Sequence, residues 1–218
     1  SGDKVVCTFT NTRDTGTLIV QKVVVNDNGG ELKAGNFSFK VNNGATVTFN
    51  QSTANPLFGE NTITKVPTGS YSIVEVEADQ RGYATTYSND CNGQLNKGDI
   101  KTCVITNNDN APKLELVKTV TNDNGGTLGI ENWKLIADDG EASISGFGGV
   151  VSGDNFKAGT YTLSEEGKEG VDVSGYKAGN WSCEGATVNG NQVVVPFQGN
   201  VKCTINNNDI APKLTLNK

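Results

Sequence analysis

Three copies of one short segment constrain this chain more than any other feature: Cys7-Thr8-Phe9-Thr10-Asn11, Cys103-Val104-Ile105-Thr106-Asn107 and Cys203-Thr204-Ile205-Asn206-Asn207. Each is followed by a second shared segment, at 18–22, 114–118 and 214–218, that runs from Leu to Lys. The spacing is 96 residues and then 100. That is too long for a solenoid unit and about the length of one small domain. Two complete repeats are therefore expected, 14–112 and 113–212. Residues 1–13 read as the last strand of a preceding repeat, or as a donor strand, and 213–218 as the first strand of a following repeat.

Aligning the repeats gives a common strand plan. The first strand, Thr17 to Val25 or Lys113 to Thr121, ends in an identical Asn-Asp-Asn-Gly-Gly turn at 26–30 and 122–126. A second strand follows at 37–41 and 133–137. Further on, Tyr71-Ser72-Ile73-Val74-Glu75 matches Tyr161-Thr162-Leu163-Ser164-Glu165, and Gly82-Tyr83 matches Gly175-Tyr176. With 27 Gly and frequent Asn, Thr and Val, short strands joined by tight turns are favoured over helices. About seven strands per repeat make an all-β chain of two tandem immunoglobulin-like sandwiches, with single-strand fragments of neighbouring repeats at both ends. No apolar run approaches the ~18 residues of a membrane-spanning helix.

Composition removes several functions. A net charge of -6 leaves no basic stripe for nucleic acid. The absence of His excludes Ser-His-Asp and Cys-His hydrolases and removes the commonest transition-metal ligand. No cofactor is expected, and a turnover enzyme lacks a convincing set of groups.

The repeat places the five cysteines. Cys91 and Cys103 occupy the same positions in the first unit as Cys183 and Cys203 in the second. Cys7 is the later member of a pair whose partner lies upstream. One Cys per strand or loop points to disulfides and an oxidising compartment. Zinc is the rival reading, with neither a CxxC nor a His to support it.

The strands carry one anomaly. Side chains alternate between faces, so Lys22 shares a face with Leu18, Val20 and Val24, and Lys118 with Leu114, Leu116 and Val120. The same count puts Glu75 with Tyr71 and Ile73, Glu165 with Tyr161 and Leu163, Asn107 with Cys103 and Ile105, and Asn207 with Cys203 and Ile205. Each repeat thus aims a Lys, a Glu and an Asn at its core, where unpaired burial costs several kcal/mol. Three outcomes fit: a buried hydrogen-bonded cluster, solvated strand ends, or a reaction. In the last, desolvation favours a neutral amine beside a protonated acid. The amine then attacks the Asn side-chain carbonyl, ammonia leaves, and an amide joins the first and last strands.

The Lys-bearing first strand, the Tyr-x-(Ile/Leu)-x-Glu strand with Gly-Tyr downstream, and the closing Ile-x-Asn strand resemble the Cna B-type, or SpaA-like prealbumin-fold, domains of bacterial surface proteins. The resemblance covers essentially the whole chain. It implies isopeptide bonds Lys22–Asn107, assisted by Glu75, and Lys118–Asn207, assisted by Glu165. Cys7, Asn11 and Lys218 are then unpaired halves of the same plan. It further implies a structural module of an extracellular bacterial stalk, pilus or fibre, partnered by neighbouring repeats or subunits through strand complementation. The alternative is an adhesin that binds a host protein or glycan through the loops at 50–61 or 140–155, where the repeats differ most. Weak Ca²⁺ candidates are Asp27 and Asp123 in the Asn-Asp-Asn-Gly-Gly turns and Asp109 and Asp209 at the junctions; plain turns are the favoured reading, because Asn and Gly accept positive φ.

Overall fold

The computed structural model describes residues 2–76 and 81–216. Eighteen strands are named among them. In the first repeat they are β1 (Thr15–Val25), β2 (Ser38–Val41), β3 (Val47–Thr48), β4 (Phe58–Pro67), β5 (Gly69–Val76), β6 (Tyr83–Tyr87), β7 (Asn92–Leu95) and β8 (Ile100–Asp109). In the second they are β9 (Lys113–Thr121), β10 (Trp133–Asp138), β11 (Ser143–Phe147), β12 (Gly149–Val151), β13 (Gly159–Gly167), β14 (Tyr176–Ala178), β15 (Ser182–Glu184), β16 (Val188–Asn189), β17 (Gln192–Val195) and β18 (Asn200–Asp209). The described residues fall into two compact units, one drawn from Ser1–Asn26 and Glu31–Asn108, the other from Asp27–Gly30 and Asp109–Lys218.

Each repeat contributes two sheets. The first has the orders β4-β1-β8-β6 and β3-β2-β5-β7; the second has β12-β9-β18-β14, with β15 also on β18, and β11-β10-β13-β17-β16. The opening and closing strands are parallel neighbours in both cases, β1 with β8 and β9 with β18. A parallel pair has no hairpin, so the rest of the repeat forms the crossover between its two members.

Burial follows the period of two that the sequence shows. Every second residue of β1 from Gly16 to Val24 is buried, and β8 buries Cys103, Ile105, Asn107 and Asp109. In the second repeat Leu114, Leu116, Leu135 and Leu163 are almost fully enclosed. Each such side chain stabilises the sandwich by about 1.5–3 kcal/mol relative to exposure. The two Asn-Asp-Asn-Gly-Gly turns need their first glycine, since Gly29 and Gly125 have φ of 104° and 98°.

Residues 2–14 and 210–216 carry the repeated sequence but lie in no strand. Val5, Val6, Phe9, Leu214 and Leu216 are exposed. The reason is topological: β1 is already flanked by β4 and β8, and β18 by β9 on one side and β14 and β15 on the other. Neither segment finds a free edge beside its natural partner. Cys7 is an exposed free thiol and Asn11 is exposed in the same segment. Lys218 lies outside the described residues.

Candidate functional site

The parallel register brings the buried polar residues together. Lys22 stands opposite Ile105, and Asn107 opposite Val24, two positions further along the same face. Lys118 stands opposite Ile205 and Asn207 opposite Val120, the same offset. Across a sheet that diagonal is about 7–8 Å between backbones, within the reach of a lysine side chain. The facing sheet supplies the carboxylate, since Glu75 lies on β5 and Glu165 on β13.

In the first repeat Lys22 and Asn107 are fully enclosed, and Lys22 Nζ lies 2.9 Å from Glu75 Oε1. The angles at that contact fall outside hydrogen-bond geometry, and both side-chain polar atoms of Asn107 are also buried without a partner. Glu75 Oε2 accepts a hydrogen bond from Thr85 Oγ1 at 3.2 Å. Burial lowers the Lys22 pKa to about 8, although the Glu75 charge opposes the shift. The cost of ionising an amine away from water outweighs the attraction of one carboxylate.

The second repeat shows a more closely connected set. Lys118 Nζ donates to Glu165 Oε2 at 2.6 Å, and Asn207 Nδ2 donates to Glu165 Oε1 at 2.8 Å. One carboxylate therefore bridges the amine and the amide, leaving Asn207 Oδ1 buried and unpaired. Lys118 is also lowered, by burial first, against the hydrogen bond and charge of Glu165. The Glu165 side chain is 14% exposed where that of Glu75 is 1%. The position matching Thr85 is Ala178, which has no hydroxyl to draw the carboxylate aside.

Aromatic rings cover both amines. Nζ of Lys22 lies 4.8 Å from the Phe37 ring centroid, and that of Lys118 5.1 Å from the Trp133 centroid. The sequence presents Phe37 and Trp133 only as matched core residues at the start of the second strand. Their role against the amine depends on the facing of two sheets, which no local pattern carries. The rings exclude water while their faces offer the ammonium some compensation.

The cysteine pairs lie beside the same closing strands. Cys91 bonds to Cys103, and Cys183 to Cys203. Cys103 and Cys203 each precede the buried Asn by four residues.

The four weak calcium candidates do not converge on a cation. Asp109 accepts the backbone N–H groups of Asp27, Asn28 and Gly30 at 2.6–3.1 Å. Asp209 accepts those of Asp123, Asn124 and Gly126 at 2.7–3.0 Å. Three amides directed at one carboxylate make a positive environment, the opposite of what Ca²⁺ needs. Asp27 and Asp123 are exposed on the turns. Among the described residues no group of three or more His, Cys, Asp or Glu could hold a metal. Among the same residues no helix is long and apolar enough to cross a membrane.

Two sandwiches with parallel first and last strands define a fold class, and comparison with known families agrees on that fold. The prealbumin-like fold domain of the SpaA type matches twice, over residues 14–107 and 109–205. The chain belongs to that family. Among solved structures, the TIE protein of Bacillus anthracis aligns over 90% of this chain and 34% of its own length, with 17% identity and a TM-score of 0.50. This chain thus spans about a third of that protein, and the likeness is one of fold. Two B repeat units of the collagen-binding protein of Staphylococcus aureus align over 91% of this chain and 50% of theirs, at 16% identity and a TM-score of 0.39. The T-13 major pilin of Streptococcus pyogenes aligns over 91% and 98%, at 12% identity and a TM-score of 0.35. No curated protein sequence matches.

Proposed function

We propose that this chain is a structural module of an extracellular bacterial stalk, pilus or fibre, built of repeats 14–112 and 113–212 that are each closed by an intramolecular Lys–Asn bond. The observation that carries the reading is the recurrence of one buried Lys–Glu–Asn set at one parallel register in two repeats. Buried polar atoms without partners cost about 1–3 kcal/mol each, so Asn107 is poorly placed as a mere core residue. The reaction gives it a purpose. The neutral amine of Lys22 or Lys118 attacks Cγ of Asn107 or Asn207, forming a C–N bond as the Cγ–Nδ2 bond breaks. Glu75 or Glu165 takes the amine proton and delivers it to the departing nitrogen, which leaves as ammonia. Atoms and charge balance, and the carboxyl group ends as it began.

The mechanical consequence follows from topology. Tension enters a repeat at the start of its first strand and leaves at the end of its last. Because those strands are parallel neighbours, their hydrogen bonds are loaded together in shear rather than one at a time. A Lys22–Asn107 bond then shunts the load across the pair. The intervening 84 residues are bypassed. Closing that loop stabilises the repeat by about 4–5 kcal/mol if disulfide loop entropy carries over.

A second reading, ligand binding by the variable loops, has one observation in its favour. A pocket of about 290 Å³ in the second repeat is lined by Asp139, Glu141, Asp154, Lys157 and the stacked pair Phe156–Tyr161. A screen of immobilised glycans and host matrix proteins against the isolated chain tests it. The structural reading is tested by single-molecule stretching with handles at the two ends. With the disulfides reduced, bypassed repeats extend without releasing their bodies, whereas an unlinked repeat releases roughly 290 Å of contour in one step. Two such steps from the wild-type chain would contradict load bypass.

A further inference from the structure

The strand register that brings Lys118 to Asn207 is not fixed by anything the reaction itself uses. β9 and β18 are parallel and have no hairpin to set their alignment. Their apolar faces alternate Leu114, Leu116 against Val201, Cys203 and Ile205, a pattern that a two-residue slip leaves on the same face. Such a slip moves the amine away from the Asn carbonyl by nearly 7 Å. The disulfide does not prevent it, since Cys183–Cys203 ties β18 to β15 rather than to β9.

On the outer face Thr119 and Thr121 of β9 donate to Asn206 Oδ1 of β18 at 3.0 and 3.3 Å, and Lys202 Nζ lies 3.6 Å from Glu115 Oε1. On the buried face, where the reacting groups lie, one further side chain ties the strands at a fixed alignment. Asp209 is the last residue of β18, on the same face as Asn207 and 6% exposed. Its carboxylate takes the amides of Asp123, Asn124 and Gly126 at 3.0, 2.8 and 2.7 Å, immediately beyond the end of β9. The receiving turn is held in shape independently. Asn122 Nδ2 donates to Leu128 O at 3.1 Å, and Tyr176 Oη donates to Asn122 Oδ1 at 2.6 Å while accepting from Leu128 N at 2.9 Å. A preformed concavity of three N–H groups accepts a carboxylate at one position only. Burial pushes the Asp209 pKa up, but the hydrogen bonds from Gly126, Asn124 and Asp123 more than offset this and bring it to about 2. The anchor therefore stays ionised across the physiological range. Asp109 takes the same three amides, those of Asp27, Asn28 and Gly30.

We propose that Asp209, seated in the Asn-Asp-Asn-Gly-Gly turn, is a positioning residue that fixes the β9–β18 register at which Lys118 Nζ can be acylated by Asn207 Cγ. This role rests on the Lys–Asn reading above. It also assigns a purpose to the repeated turn, which otherwise takes no part in the chemistry.

The test is peptide mapping by mass spectrometry of the full chain, scoring cross-linked against free Lys118 and Asn207. Wild type, Asp209→Ala and Val195→Ala are compared, the last a core truncation on β17 of the same repeat, opposite Gly159 and away from both turn and site. Asp209→Ala is expected to lower the cross-linked to free ratio in the second repeat about ten- to a hundredfold, the scale of a misplaced reacting group, with the first repeat unchanged. Val195→Ala, although destabilised, is expected to remain cross-linked. If Asp209→Ala does not fold, Asp209→Asn carries the test, keeping shape but losing one acceptor, with an intermediate ratio expected. Full cross-linking in the Asp209 variants overturns the role, as does an equal loss in Val195→Ala. A wild-type chain without cross-links in either repeat overturns the Lys–Asn reading itself, and the positioning role falls with it.

Discussion

Lys22 is the residue on which the proposed reaction turns, and its environment sets a sign that can be measured. Its folded pKa of about 8 lies below the 10.5 reference, with desolvation the larger cause and the Glu75 charge opposing. The unfolded chain therefore holds that proton more tightly. Raising the pH from about 8 to 10.5 favours the fold, and below about 8, where both states are protonated, this gain is absent. Asn107→Ala keeps Lys22 and Glu75 but removes the carbon the amine attacks. Its urea midpoint is expected to rise between pH 8 and 10 relative to that of Lys22→Met/Asn107→Ala, which has no amine at this site. Two parallel pH profiles would show that Lys22 does not titrate there. Glu75→Gln is expected to block the reaction in the first repeat alone, leaving that chain one ammonia heavier than wild type apart from the substitution. Lys22, Glu75 and Asn107 were legible in the sequence because a period of two puts a charge among apolar neighbours. Thr85 and the rings of Phe37 and Trp133 were not legible as site residues, because their contacts cross between strands far apart in the chain.

At the scale of elements, the decisive feature is the parallel pairing of β1 with β8 and of β9 with β18. Alternation predicted which faces are buried and nearly where β1, β2, β9 and β10 begin, but the reading of about seven strands per repeat missed β4, β7, β12, β16 and β17. It carried no information about which strands are neighbours, and for the same reason Asp109 and Asp209 read as weak calcium candidates. Their true partners are backbone amides, which have no identity in a sequence. The disulfides were legible because the repeat aligns the cysteines, but their unequal shelter was not. Cys91 and Cys103 are buried, at 2% and 1% exposure, whereas Cys183 is only half-buried. Graded reduction followed by alkylation is expected to label Cys183 and Cys203 before Cys91 and Cys103. The reverse order would contradict the packing around these strands. Opening either disulfide removes on the order of 3 kcal/mol on a chain-entropy estimate.

At the scale of the whole chain, what repeats is a pairing of first and last strands that can be made covalent. The same Lys–Glu–Asn set, turn anchor and cysteine pair occur twice, with different loops between them. That conservation of plan within one molecule suits a part that bears load in series, where the weakest repeat limits the whole. The terminal segments 2–14 and 210–216 carry the repeated sequence but lie in no strand. All of this depends on whether the amines have reacted. The most direct measurement is the intact mass of the purified chain after its cysteines are reduced. The account predicts a mass lower than that of the sequence by two molecules of ammonia, one for Lys22–Asn107 and one for Lys118–Asn207; a mass equal to that of the sequence would contradict it.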